Sequence, residues 1–270
     1  MAARRRLDAE LVRRDLVPSR ARARELIEEG RVTVAGAPAG KASRMVDPAE
    51  AIEVTGDRPR FVSRAGEKLD AALVRFGIDP AGRRVVDIGS STGGFTDCVL
   101  QRGAVEVVAI DVGRNQLHER LRADERVKSH ERTNVRHADV AALGGPGDLV
   151  VVDLSFISLR TVATQLLAFT APHGELVALV KPQFEAGKAE ADRGRGVIRD
   201  GEVWRRTLDE ATNALSDAGA AIMGVMVSPI TGGDGNVEFL VHAQRDGQPL
   251  GAAAWSAARD AAVLRAGDLL

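Results

Sequence analysis

The stretch Asp87-Ile88-Gly89-Ser90-Ser91-Thr92-Gly93-Gly94-Phe95 constrains the fold more than any other part of the chain. It follows the apolar run Val85 to Ile88 and leads into helical spacing from Thr96 to Gln101. A strand that opens into glycines and then a helix lets a ligand approach bare backbone, beside the free amides of a helix start. Short continuous apolar runs recur at Val107 to Ile110, Leu149 to Val152 and Leu176 to Val180, the pattern of strands covered on both faces. Helical stretches, Gln116 to Arg122 and Leu159 to Phe169, lie between them. This alternation predicts an α/β fold, a doubly wound and mostly parallel sheet whose ligands bind at the carboxyl ends of the strands. A helix from Glu202 to Ala218 follows, then strands Ile222 to Val227 and Val237 to His242, joined by the glycine-rich Thr231 to Gly235. That ending predicts an antiparallel final pair. The Ala-rich Ala252 to Leu264 predicts a last helix that packs back on the domain.

The glycine loop has neither the G-x-G-x-x-G spacing of dinucleotide sites nor the Gly-Lys-Ser of a P-loop. A nucleoside carrying an amino-acid carboxylate fits it better. Asp87, Gly89, Ser90, Ser91, Thr92, Gly93, Gly94 and Phe95 are therefore candidate cofactor residues. Asp111 ends the second strand, where a carboxylate can accept hydrogen bonds from ribose hydroxyls. Asp139 is a candidate for the adenine side, with an exposed loop acid as the alternative.

The front of the chain has a different character. The whole chain of 270 residues carries a net charge of −1, which gives no reason to expect a polyanionic partner. Yet Arg4, Arg5, Arg6, Arg13, Arg14, Arg20, Arg22 and Arg24 stand against only Asp8, Glu10 and Asp15 between Met1 and Arg24. Helices are expected from Asp8 to Asp15 and from Ser19 to Glu29, with Pro18 as a stop and Ser19 as an N-cap. Strands follow at Arg31 to Val34 and Ala51 to Val54. Residues 1–57 thus read as a small αα-β unit, 58–63 as a linker, 64–250 as a catalytic domain and 251–270 as a carboxyl-terminal tail. The single cysteine, Cys98, excludes a disulfide framework or a cysteine-built metal site and reads as a packed small hydrophobe. No apolar stretch reaches the ~20 residues of a membrane span, and the basic start runs into acids rather than an apolar leader. A cytoplasmic protein is expected.

Four charged residues fall where an active site belongs: Lys68 ahead of the first strand, Asp153 and Lys181 at strand ends, and Glu238 at the start of the last strand. In that order they resemble the K-D-K-E tetrad of FtsJ-like ribose 2′-O-methyltransferases. Phe61-Val62-Ser63-Arg64, Ser91-Thr92-Gly93-Gly94-Phe95-Thr96, Glu131-Arg132-Thr133-Asn134, Asp153-Leu154-Ser155-Phe156-Ile157-Ser158, Val180-Lys181-Pro182-Gln183-Phe184-Glu185 and Gly235-Asn236-Val237-Glu238 resemble the TlyA-type rRNA cytidine 2′-O-methyltransferases. The front segment, with Ser19 to Ala23 and Leu26 to Val32, is similar to the S-four RNA-binding domain.

The resemblance implies a class I Rossmann-like methyltransferase fold, preceded by a small α+β RNA-binding domain, that uses S-adenosylmethionine and no metal. Lys181 would take or hold the ribose 2′-hydroxyl proton, Asp153 would orient it, and Lys68 with Glu238 would complete the charge network. Longer family members modify both ribosomal subunits, and the Arg4 to Arg6 start with the tail resembles those, so 30S and 50S particles are the expected partners of a monomeric enzyme. Arg4, Arg6, Arg20 and Arg22 would hold phosphates, with Arg64, Arg136 and Lys188 as contacts on the catalytic side; a solvated basic face is the alternative. The family usually has Ser-Arg-Gly where Ser63-Arg64-Ala65-Gly66 stands, and an aromatic linker where Arg58-Pro59-Arg60-Phe61 stands. Three other functions stand as alternatives: a non-catalytic RNA- or ribosome-binding protein; a membrane-active haemolysin, a label some family members carry; and transfer of the methyl group to a protein or small molecule.

Overall fold

The computed structural model describes residues 4–14, 16–17, 20–56, 59–187, 190, 194 and 196–269. The chain divides into two compact units, Met1–Ser63 and Arg64–Leu270.

In the first unit a two-residue strand β1 (Arg5–Arg6) leads directly into helix α1 (Leu7–Arg13), and α2 (Arg20–Glu28) follows. Four short strands complete it: β2 (Val32–Val34), β3 (Ala37–Pro38), β4 (Met45–Val46) and β5 (Ile52–Val54). β2 lies between β3 and β5, and β1 pairs with β4, all antiparallel. Leu7, Leu11, Leu26, Val32, Val34 and Val46 are fully or almost fully buried in one cluster, so the two helices and the small sheet share a single core. The expected helices and strands are present with shifted ends; β1, β3 and β4 were not read from sequence, because two-residue pairings carry no period. The expected N-cap Ser19, with Pro18 and Asp15, lies outside the described residues.

The second unit opens with α3 (Ala65–Phe76) and then alternates strands and helices: β6 (Arg84–Ile88), α4 (Gly94–Gln101), β7 (Glu106–Ile110), α5 (Glu119–Arg122), β8 (Val127–His130), β9 (Gly147–Val152), α6 (Ala163–Phe169), β10 (Thr170–Val180) and α7 (Pro182–Glu185). The long α8 (Gly201–Asp217), β11 (Ala220–Val227), β12 (Phe239–Arg245) and α9 (Ala252–Gly267) close the chain. The sheet order is β11-β12-β10-β9-β6-β7-β8, parallel except for β12, which runs antiparallel to both β10 and β11. β6 has β9 on one side and β7 on the other, so the winding reverses beside it. Ligands of open α/β sheets bind at such a reversal.

Several boundaries differ from the sequence reading for identifiable reasons. β8 has only Val127 buried and is an edge strand, so it shows no apolar run. The helix expected over Gln116–Arg122 shrinks to α5, because the Glu131 carboxylate accepts the amides of Asn115, Gln116 and Leu117 and holds them in a turn. The helix expected over Leu159–Phe169 begins as a separate 3₁₀ turn, Leu159–Thr161. β10 starts at Thr170, six residues early, through an irregular stretch with His173 at φ 61°. The final strand starts at Phe239, so Glu238 precedes it rather than beginning it. α9 packs Ala262, Val263 and Ala266 into the sheet's core, and Trp255 Nε1 donates to Asp209 on α8 at 2.9 Å. Cys98 is buried on α4.

Candidate active site

Two ion pairs, buried except for the partly exposed Asp153, meet at the carboxyl edge of the sheet. β12 runs against β10 with Phe239 opposite Val180, so Glu238 and Lys181 emerge next to each other across the pair. On the other side Val152 of β9 aligns with Ala178, which brings Asp153 to the same edge. Lys181 Nζ stands 2.5 Å from Asp153 Oδ1 and donates a directed hydrogen bond to Ser155 Oγ at 3.0 Å. That Oδ1 is buried and takes no hydrogen bond of good direction, so the contact to Lys181 is a close ion pair rather than an aligned hydrogen bond. Lys68, on the first turns of α3, donates to Glu238 Oε2 at 2.5 Å. Lys68, Lys181 and Glu238 are 8 %, 9 % and 3 % exposed, and buried charges of this kind persist only when paired.

The loop after β12's partner supports Glu238. Gly232 comes close enough that a Cβ there would lie 2.7 Å from Glu238 Oε1, so any larger residue would push the carboxylate aside. Asn236 is buried and anchors this loop, accepting the Ile198 amide at 3.0 Å and donating to the Gly196 carbonyl at 2.7 Å. Neither residue stood out in the sequence, although Asn236 lies within a quoted motif.

A cleft of about 310 Å³ opens beside these pairs, lined by Ile88, Gly89, Ser91, Ile110 to Val112, Gln116, Thr133, Val135 and Asp153 to Phe156. Its size falls within the range of small-molecule sites. Gly89, at φ +85°, passes so close to the next strand end that a Cβ would lie 2.4 Å from the Asp153 carbonyl oxygen. Asp111 at the mouth accepts the Ser91 amide at 2.8 Å and the Gly113 amide at 2.6 Å, which fixes both oxygens while leaving each a lone pair for a ligand. Asp87 lies behind the loop, fully buried, with Oδ2 accepting the Thr96 hydroxyl at 2.6 Å and Oδ1 without a hydrogen-bond partner among the described residues. Burial pushes its carboxyl up to about 7, against the Thr96 hydrogen bond, with the charges of Asp153 and Asp111 adding to the rise.

Of the expected cofactor residues, Asp111, Gly89 and Ser91 line the cleft. Ser90, Thr92, Gly93, Gly94 and Phe95 build the turn into α4 behind it: Gly93 is left-handed at φ 97°, its amide donates to the Ser90 carbonyl, and Phe95 is buried. Asp139 is not brought to the cleft. It is exposed, and its Oδ1 accepts the amides of Ala141 and Ala142, a local turn contact. Thr133 and Val135 form the wall on that side instead.

Phe156 was not singled out from sequence, yet it is the most exposed large apolar side chain described, at 90 %. Its backbone is left-handed, φ 64°, an unusual state for a bulky residue. Its ring centroid lies 5.0 Å from that of Phe184, whose ring in turn lies 5.9 Å from Lys181 Nζ. The segment is tied down by buried Glu185, which accepts the Ser158 hydroxyl at 2.5 Å and the Leu159 amide at 2.7 Å.

Among the basic candidates, Arg4, Arg64 and Arg136 are exposed, Arg136 on the 3₁₀ turn Val135–His137 that follows the cleft wall. Arg6 and Arg20 are half-exposed, whereas Arg22 pairs with Glu25 and Glu29. Lys188 lies outside the described residues.

With this geometry in place, the comparisons are specific. Residues 61–245 match the FtsJ-like methyltransferase model and residues 5–52 the S4 domain model. The chain belongs to the FtsJ-like methyltransferase family. It is 47 % identical to the 16S/23S rRNA (cytidine-2′-O)-methyltransferase TlyA of Mycobacterium tuberculosis H37Rv, over 89 % of this chain and 90 % of that one. It is 38 % identical to Hemolysin A of Brachyspira hyodysenteriae over 88 % and 98 % of the two chains. A hemolysin-named structure from Streptococcus thermophilus superimposes with TM-score 0.79 at 35 % identity, covering all of this chain and 98 % of the other. The S4 match falls within the first unit and the FtsJ-like match spans most of the second, and no described helix is long and apolar enough to cross a membrane.

Proposed function

We propose that the chain methylates ribose 2′-hydroxyls of ribosomal RNA, with cytidine as the target nucleoside, on 30S and 50S subunits in the cytoplasm. The observation that carries this reading is the pairing of Lys181 with Asp153 and of Lys68 with Glu238 at one strand edge beside the cleft. A non-catalytic RNA-binding protein has no use for three buried charges and a partly buried fourth there, each costly to bury. The relatives named as rRNA methyltransferases support the substrate class.

The cleft fits S-adenosylmethionine in the chemistry of its donors. Asp111 offers the ribose hydroxyls a carboxylate, Val112 and Val135 offer apolar faces to a base, and the Gly89–Ser91 backbone leaves room at the strand end. When bound, S-adenosylmethionine supplies an electrophilic methyl on a sulfonium centre. As the ribose oxygen attacks, Lys181 acts in its neutral amine form and takes the proton of the target hydroxyl on Nζ, and the ammonium paired with Asp153 is the state that this transfer produces. Asp153 and Ser155 hold that nitrogen in one place, so little is lost to misorientation. Lys68 is kept at the same edge by Glu238, and the two pairs surround the reacting oxygen with fixed charge. Phe156 presents a bare ring for a base withdrawn from its stack, since a paired ribose is poorly accessible.

The test is transfer of labelled methyl from S-adenosylmethionine to purified unmethylated 30S and 50S subunits. The wild type is expected to place label in 2′-O-methylated nucleosides. Lys181→Ala is expected to lower the rate by about 10²–10⁴-fold, the usual worth of a positioned proton acceptor. Absence of ribose label on either subunit with the wild-type chain would sink the proposal.

A further inference from the structure

In the amino-terminal unit an acid sits where counting charges places only a diluent of the basic cluster. Asp8, the second residue of α1, is completely buried. Three guanidinium groups converge on it. Arg6 donates through Nε to Oδ1 and through Nη2 to Oδ2, both at 3.1 Å; Arg20 Nη2 donates to Oδ2 at 2.8 Å; Arg24 Nε stands 3.7 Å from the same oxygen. The arginines themselves are 44 %, 51 % and 56 % exposed, so each turns part of its fork outward. Their hydrogen bonds, that of Arg6 foremost, hold the Asp8 carboxyl well below the usual range against the penalty of burial.

The other arginines of this unit are used differently. Arg13 and Arg14 clasp the second buried acid, Glu10, and Arg14 also donates to the carbonyls of Pro48 and Glu50, which fastens α1 to the strand region. Among the described residues of this unit, only the Asp8 group gathers side chains from two elements, β1 and α2, around one oxygen and leaves all of them half in solvent.

Without Asp8 three like charges on flexible stems would spread apart, and ordering each on a ligand costs conformational entropy. A guanidinium has five donors, and Asp8 occupies at most two on any of these arginines, so outward donors remain for phosphate oxygens. The cluster keeps two net positive charges in a fixed arrangement. We propose that Asp8 is a positioning residue for RNA recognition: it preassembles Arg6, Arg20 and Arg24 into a clamp for backbone phosphates of folded ribosomal RNA and, by cancelling one charge, disfavours unstructured RNA. This rests on the ribosomal RNA reading above and adds a source of discrimination to it.

The opposing effects on the two kinds of RNA make the idea testable. Binding to unstructured RNA follows the number of phosphates neutralised, so removing a negative charge preserves or tightens it and steepens its salt dependence. Binding to folded RNA depends on the arrangement and weakens. Full-length wild type and Asp8→Asn are compared for binding to purified unmethylated subunits and to poly(U) across a salt series, with methyl-transfer KM and kcat on subunits. Asp8→Asn is expected to raise the subunit Kd and KM by about tenfold, leave kcat within about twofold, and leave poly(U) binding equal or tighter. Arg24→Gln, which removes the outermost member and spares the buried acid, is expected to weaken subunit binding in a protein whose melting matches wild type. Equal weakening on subunits and poly(U) by Asp8→Asn, or no change on subunits with either variant, overturns the role of Asp8. A wild-type chain that shows no preference for subunits over poly(U) overturns the ribosomal RNA reading itself.

Discussion

Substitution of Gly89 by alanine separates two costs that the structure combines at one residue. The backbone there is left-handed, φ +85°, which charges an L side chain about 1–2 kcal/mol. The added Cβ would also stand 2.4 Å from the Asp153 carbonyl oxygen and 3.3 Å from Leu154 Cδ2. Backbone cannot rotate away as a side chain can, so the ends of β6 and β9 must part, at an overpacking cost of about 1–3 kcal/mol. The expected total is roughly 3 kcal/mol, or about 6–12 °C of melting temperature for a domain of this size. Because Asp153 moves, Lys181 loses its anchor, and methyl transfer should fall by at least about tenfold, beyond what the lost stability explains. Gly145→Ala provides the comparison: φ is +91° there, but nothing lies within 4 Å of the added Cβ. It should cost only the strain, about 1 kcal/mol, with unchanged transfer. The assay is a thermal melt with single-turnover methyl transfer on both variants. Equal melting shifts for the two, or full activity in Gly89→Ala, would refute the argument that the strand ends are in contact at this point.

Two further outcomes follow from the site. The Asp87 carboxyl, raised by burial to about 7, is protonated in folded and unfolded chains alike below about pH 4. Between pH 4 and 7 only the unfolded chain releases that proton, so this residue's contribution to stability falls as pH rises and levels off above 7. Asp87→Asn should therefore melt higher relative to wild type at pH 7.5 than at pH 5; parallel melting curves across that range would contradict it. Phe156→Ala should raise KM for ribosomal subunits by roughly tenfold, within the 1–3 kcal/mol that a base stacked on an aromatic ring is worth, with little change in melting because the ring is 90 % exposed. An unchanged KM would remove the ring from substrate contact.

Asp153 and Lys181 were legible because each sits immediately after a short apolar run, and parallel strands bring such ends to one side. Lys68 was picked out by its place ahead of the first strand, but its role came only through resemblance, since a lysine on a helix there has no local mark. Phe156 escaped notice because aromatic residues at strand ends are ordinarily core; its exposure arises from a left-handed backbone that no spacing reveals. Asp139 was misplaced toward the cleft because a strand-end acid and a turn-capping acid look alike in sequence, and the amides of Ala141 and Ala142 decide between them. β8 was read only as a strand region without bounds ahead of Asp139, because an edge strand need bury only one residue in four.

Sequence by itself determined the alternation of strands and helices, the glycine turn into α4, the two-part organisation and the order of the four charged residues. These follow from local period and chain direction. Tertiary structure alone decided which charges pair. Asp8 and Arg6 are two residues apart and read as partial cancellation, but burial of the acid converts the neighbourhood into a three-arginine array. Lys68 and Glu238 are separated by most of the catalytic unit, and only the antiparallel insertion of β12 beside β10 brings them within 2.5 Å. The strength of a charge pair depends on the distance and dielectric between its members, and both are properties of the packed chain rather than of its order.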